Sequence, residues 1–290
     1  MTRVGHAKTE TNSYLSPKTK TLILKIVLAL IMGAFGVVIV FPFYAMIIMS
    51  TYSTAQIFQG LRFVPGDFFM ENVRTLMTIN FIRYYQNSIF LAVTTSFLSV
   101  FCSAMGGYAL GVFNFKGKKT MMAIILTTLM IPMQIAIIGT VMQVHAMGLA
   151  NTHLILIILG IPSAFGVFWM SSVARQAIPQ SVIESAHIDG CNDFKTFVKI
   201  GLPFMMPACG TLFLLVFLGS WNSFLIPTVL LTQESLFTLP IGIRLLSNTF
   251  GTDLGAQLAG LTLGTFPILI VFASFSKTLI QGLSASAVKE

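Results

Sequence analysis

Nine carboxylates are spread over 290 residues, and three of them, Glu184, Asp189 and Asp193, fall within one short polar island. Around them stand Ile178-Pro179-Gln180, His187, Gly190, Lys195 and Lys199, and the island closes on Ile200-Gly201-Leu202-Pro203. Pro179 suits a helix start, where a missing N–H costs nothing. Val182, Ile183 and Ala186 then share one face at helical spacing. Gly190 ends that helix, because glycine accepts the left-handed conformation of a C-terminal turn. Asn192 is a fitting N-cap for a second helix in which Phe194, Phe197 and Val198 recur at i, i+3 and i+4. The island therefore predicts a helix, a glycine elbow and a second helix. Its polar face mixes acids and lysines, unlike the basic face of a helix lying on a lipid surface. Such an element is a handle by which a separate soluble protein grips this one.

Other chemistry is scarce. A phosphate-binding loop needs GxxxxGK followed by Ser or Thr, so that backbone amides cradle phosphate and the hydroxyl holds magnesium. The nearest stretch, Gly117-Lys118-Lys119-Thr120, has Val112 in place of the first glycine and Lys119 where Ser or Thr belongs. The chain is thus expected neither to hydrolyse ATP nor to be an enzyme. Cys102, Cys191 and Cys209 are far apart, with no metal or disulfide spacing. His145 and His153 flank a short loop without carboxylate or thiol companions, so no cofactor is expected on this chain.

The elements that carry the island are apolar. Hydrophobic residues make up 55% of the chain and charged residues 9%, against about 25% charged in soluble domains. Ile26–Met49 holds 24 residues without a charge, enough to cross a bilayer, which takes about 20. Further spans are expected at 88–115, 121–144, 154–174, 204–231 and 254–276, giving an all-α polytopic membrane protein of six transmembrane helices. The domains expected are a tail at 1–21, a transmembrane domain at 22–283 that includes the loop at about 177–203, and a second tail at 284–290.

The net charge of +8 reports topology rather than nucleic acid. With the N-terminus inside, 13 Lys and Arg fall on cytoplasmic segments and four (Arg62, Arg74, Arg83 and Arg244) outside. By the positive-inside rule both termini and the polar island face the cytoplasm. Residues 1–21 lack the pattern of a cleaved signal. The outside segments 51–87 and 232–253 are candidate docking surfaces for an external partner. No carboxylate lies inside a span, which argues against a proton-driven carrier. Polar residues at membrane depth are costly and point to a path for solute; Gln134, Trp221 and Asn222 are the candidates. Gly107 and Gly111 form a GxxxG pair suited to close helix packing.

The island also resembles the conserved loop of permease subunits of binding-protein-dependent ABC importers. The family pattern of Glu-Ala-Ala, three residues, Gly, nine residues and Ile-x-Leu-Pro is matched by Glu184-Ser185-Ala186, Gly190 and Ile200-Gly201-Leu202-Pro203, with Ser185 in place of Ala. Arg83-Tyr84-Tyr85-Gln86-Asn87-Ser88, Met147-Gly148-Leu149-Ala150-Asn151-Thr152, Trp221-Asn222-Ser223-Phe224 and the terminal Gly282–Lys289 stretch resemble the carbohydrate branch, in particular maltose-type G subunits.

The resemblance implies a type I ABC importer permease fold in the bacterial inner membrane. It implies a paralogous permease as heterodimer partner, two cytoplasmic ATPase subunits that hold ATP and magnesium, and an extracytoplasmic solute-binding protein. It assigns ATPase coupling to Glu184, Ala186, Asp189, Gly190, Ile200, Leu202 and Pro203, and an ATPase-contacting tail to Val288 and Lys289. The substrate class it implies is a di- or oligosaccharide. Glycerol phosphate imported by the same machine, or an ion-coupled secondary carrier, are the alternatives.

Overall fold

The computed structural model describes residues 17–249 and 253–287, all as helix, turn and loop. The chain opens with α1 (Pro17–Met49), which begins ahead of the apolar run at Ile26, followed by the short α2 (Thr54–Ile57) and α3 (Phe69–Thr78). A central α4 (Phe81–Val112) precedes α5 (Lys118–Thr128), α6 (Met133–Ala146), α7 (His153–Gly160) and α8 (Ala164–Ala177). The polar island supplies α9 (Gln180–Ile188) and α10 (Asp193–Thr196). Then come α11 (Leu202–Trp221), α12 (Leu225–Leu230), α13 (Leu239–Thr249) and α14 (Leu254–Ala287).

Among the described residues four helices are long and apolar enough to cross a membrane: Thr21–Met49, Phe81–Val112, Asp193–Trp221 and Leu254–Ser276. A fifth is obtained if α7 and α8, bent by 44° at their junction, count as one. The third expected span, 121–144, is divided instead. Proline cannot donate the backbone hydrogen bond that would continue a helix, and Pro132 sits as the N-cap of α6, leaving pieces of 11 and 14 residues. The expected fifth span also ends early, at Trp221, with Asn222–Phe224 separating α11 from α12.

The bundle is built around α4, which packs on α8 and α11, while α11 packs on α14. Lipid tails are as apolar as leucine, so helices in a bilayer associate through close packing rather than water exclusion. The small residues of α4 supply that closeness. A Cβ at Gly107 would collide with Cβ of Met170, and one at Gly111 would lie 2.7 Å from Cβ of Ala174. Replacing Gly107 with leucine is expected to cost about 1–3 kcal/mol by overpacking, seen as a lower unfolding temperature in detergent. By contrast α1 turns its apolar side chains outward and meets the rest of the bundle chiefly through α14. Its C-terminal end is pinned where Asn72 Nδ2 donates to the carbonyls of Ser50 (2.8 Å) and Tyr52 (2.9 Å).

Candidate coupling hairpin and solute-facing end

The polar island folds as a capped helical hairpin. At the elbow Gly190 has φ +77°, a value that costs a residue with a Cβ roughly 1–2 kcal/mol. Cys191 N donates to Ala186 O (2.9 Å) and Gly190 N to His187 O (3.0 Å), the paired bonds of a Schellman C-cap. On the far side Asn192 Oδ1 accepts from Lys195 N at 2.8 Å, satisfying an otherwise free amide of α10. His187 Nε2 lies 3.1 Å from Asp193 Oδ1 across the elbow, an ion pair whenever the imidazole is protonated. Caps on both sides of one glycine make the turn a fixed angle rather than a loose loop.

The hairpin has a buried and an exposed face. Ile183, Ala186 and Phe197 are buried, and Ile200 and Leu202 are partly so. Glu184, Asp189, Gly190 and Pro203 are exposed. Phe197 is the anchor: its ring centroid lies 5.3 Å from that of Tyr108 and 6.0 Å from that of Phe101, both on α4. Gly201 allows this approach, since a Cβ there would stand 2.7 Å from the Tyr108 ring. At the tip Ile188 is 86% exposed and Phe194 59%. Large apolar side chains presented together at a polar tip mark an interaction surface. The sequence pattern put Phe194 on the same stripe as Phe197, but only the fold separates the one that anchors from the one that projects.

The second helix of the hairpin does not stop before the membrane. α10 passes through a π turn at Phe197–Gly201 into α11, where Leu202 N reaches back to Phe197 O. The wider turn absorbs the break that Pro203 would otherwise cause, and Asp193–Trp221 is one uninterrupted helix of 29 residues.

The other end of that helix holds the sequence's path candidates. Trp221 is buried, edge-on to Tyr85 at 5.7 Å and stacked on Phe217 at 5.8 Å. These contacts pack it between α4 and α11. Asn222 is exposed and its Nδ2 donates to Leu218 O at 2.9 Å, closing the end of α11. Gln134 stands apart from these two, exposed on α6. Val288 and Lys289 lie outside the described residues.

At this same end the loop after α12 is clasped to α4. Tyr84 Oη and Asn80 Nδ2 both donate to Glu234 Oε1, at 2.6 and 2.9 Å. Asn87 Nδ2 donates to the carbonyls of Ser235 and Phe237, each at 2.9 Å. The bonds from Tyr84 and Asn80 hold the Glu234 carboxyl below the usual carboxylate range. A lowered native pKa stabilises the state in which the group is ionised. The clasp is therefore complete at neutral pH and weakens as the pH falls through that lowered value. Hydrogen exchange of the 234–238 amides should rise several-fold in Glu234→Gln at neutral pH, and in the unaltered protein only under acid. Partners about 150 residues apart leave no local signal, and sequence reasoning missed this clasp.

The described residues thus form a helical membrane domain that carries a capped, apolar-tipped hairpin. The chain belongs to the family of binding-protein-dependent transport system inner membrane components, whose pattern matches residues 103–285. Members of this family are permease subunits, with ATP hydrolysis on separate ATPase subunits. The chain is 32% identical over 255 residues to the arabinooligosaccharides transport system permease protein AraQ of Halalkalibacterium halodurans, covering 86% of this chain and 91% of that one. It is 30% identical over 268 residues to the trehalose/maltose transport system permease protein MalG of Thermococcus litoralis, covering 90% and 96%. A chain in the crystal structure of a bacterial ABC transporter involved in import of the acidic polysaccharide alginate superposes with a TM-score of 0.76 at 26% identity, covering 91% of this chain and 98% of that one. Among the described residues no group of three or more His, Cys, Asp or Glu is placed to hold a metal ion.

Proposed function

We propose that this chain is the G-type permease subunit of an inner-membrane ABC importer for an oligosaccharide, working as a heterodimer with a paralogous permease. The hairpin at 180–196 seats in a cytoplasmic ATPase, and a solute-binding protein docks at the end that carries the Glu234 clasp. Six crossings follow if α5 with α6 forms one broken span and α7 with α8 another. The ends at 1–21 and 284–290 are then cytoplasmic tails, with Val288 and Lys289 directed at the ATPases. The observation that carries this reading is the hairpin, anchored by Phe197 and exposing Ile188 and Phe194 at its tip.

The solute-facing end favours a neutral sugar over glycerol phosphate. Arg244, the cation on which the phosphate alternative would rest, lies with its guanidinium 5.3 Å from the centre of the Phe224 ring. The cavity beside α4 and α11 is lined by no charged side chain among the described residues.

The hairpin reading is tested by Ile188→Asp in the tip, where the exposed position leaves the fold intact. Co-purification of the ATPase subunits should fall at least tenfold, while the permease pair still assembles in the membrane. An undiminished ATPase yield would count against the hairpin as the docking element. ATP-free uptake by the purified chain under an ion gradient would establish the secondary-carrier reading instead.

A further inference from the structure

The bundle is packed unevenly along α4. In the half toward the hairpin, Gly107 and Gly111 bring α4 into direct contact with Met170, Ser171 and Ala174 of α8, leaving no space between them. In the half toward the clasped loop α4, α7 and α11 line a cavity of about 320 Å³, with Gly160 of α7 still lying against Thr95. Hydroxyls reach its walls from Ser88, Thr95 and Ser99 of α4, Ser163 before α8, Ser220 of α11, Ser223 after it and Thr238 of the clasped loop, while α7 and α12 add apolar side chains. Ser163 Oγ is already used, accepting from Gly166 N at 2.9 Å. Ser99 and Thr238 are different. They are 0% and 5% exposed, and neither hydroxyl has a hydrogen-bond partner among the described residues.

A serine on a helix can satisfy itself by donating to the carbonyl one turn back, as Ser96 does to Ala92 O at 2.6 Å on this same helix. Ser99 and Thr238 instead leave donors and acceptors free at a cavity wall, a costly arrangement unless something polar visits. The cavity has room for a sugar ring, and its lining of hydroxyls without charge suits a ligand that is itself polyhydroxylated and neutral.

We propose that this cavity is a binding site for one ring of the transported carbohydrate on this subunit itself, with Ser99 and Thr238 hydrogen-bonding its hydroxyls. This rests on the oligosaccharide reading above and assigns residues that the sequence did not single out.

The test uses the complete complex in proteoliposomes, with binding protein and ATP, and labelled arabinotriose, maltose and trehalose as probes. The double variant Ser99→Ala with Thr238→Val removes both hydroxyls and adds no bulk at either buried position. The KM for uptake should rise about tenfold, as expected for two lost neutral hydrogen bonds, while the maximal ATPase rate is retained. An unchanged KM would overturn the proposal. In parallel, Ser99→Cys should react with a small cationic methanethiosulfonate, and the probe that is imported should slow the reaction. Labelling without protection marks a solvent-filled void and also overturns it. If the unaltered complex imports none of the three probes, the oligosaccharide reading fails. The cavity is then judged by whether the Ser99→Cys thiol reacts at all, and no reaction overturns the site.

Discussion

Replacing Gly190 with valine should abolish ATP-driven uptake while leaving the transmembrane bundle folded. The elbow holds φ at +77°, a region that a β-branched residue occupies only with strain. Two responses are open to the variant. It can hold the angle and lose about 1–2 kcal/mol, or it can relax to an ordinary φ and break the Cys191 and Gly190 bonds that close α9. Relaxation swings α9 and its exposed Ile188 away from α10 and Phe194, so a groove fitted to both is no longer matched. A loss of tenfold or more in ATPase co-purification, with circular dichroism of the purified permease pair unchanged, is the expected pattern. Retained uptake at the normal rate would show that the angle of the hairpin is not what the ATPase reads. Gly190→Ala should be milder, because alanine lacks both γ-methyl groups of valine.

Phe197→Ala should have the largest effect on stability, because it removes a fully buried ring, 2% exposed, from between Phe101, Tyr108 and Phe194. Truncation of a buried Phe costs about 3–5 kcal/mol where the site cannot collapse, and here Gly201 is already in contact with the Tyr108 ring. The hairpin would keep its caps and its tip but lose its fixed seat on α4. Phe197→Ala is therefore expected to bind ATPase subunits with modestly reduced yield yet to hydrolyse ATP without importing solute. Phe197→Leu should restore part of the coupling. Normal uptake in the alanine variant, measured per ATP hydrolysed, would show that the aromatic anchor carries no motion.

The features legible in the sequence are those encoded within one turn of helix. Asn192 as a cap, Gly190 as an elbow and the stripe of Ile183 and Ala186 needed only neighbours three or four residues away. The glycine pair at 107 and 111 was recognisable as a packing motif, although its partner α8 was not. Span lengths were harder. Hydropathy averages over Pro132 and over Asn222–Phe224, so it joined 121–144 and 204–231 into continuous helices where backbone hydrogen bonding is interrupted. Just ahead of the expected span at 204–231, the π turn at Phe197–Gly201 carries the helix of the hairpin through into α11, a continuity that Pro203 hides in the sequence. Trp221 and Asn222 looked polar at membrane depth. In the structure Trp221 joins an aromatic stack and Asn222 a helix end, contacts that depend on Tyr85, Phe217 and the ending of α11. The hydroxyls of the cavity are individually unremarkable, and only the tertiary fold brings them to one wall.

The continuity of Asp193–Trp221 has a mechanical consequence. At about 1.5 Å per residue, the helix extends roughly 6 Å from Phe197 toward the hairpin elbow and roughly 36 Å from Phe197 to Trp221. With its pivot at the aromatic wedge, such a rod has unequal arms, the outer about six times the inner. Travel imposed at the elbow would thus be carried along one helix to Trp221, beside the residues of α11 that wall the hydroxyl-lined cavity.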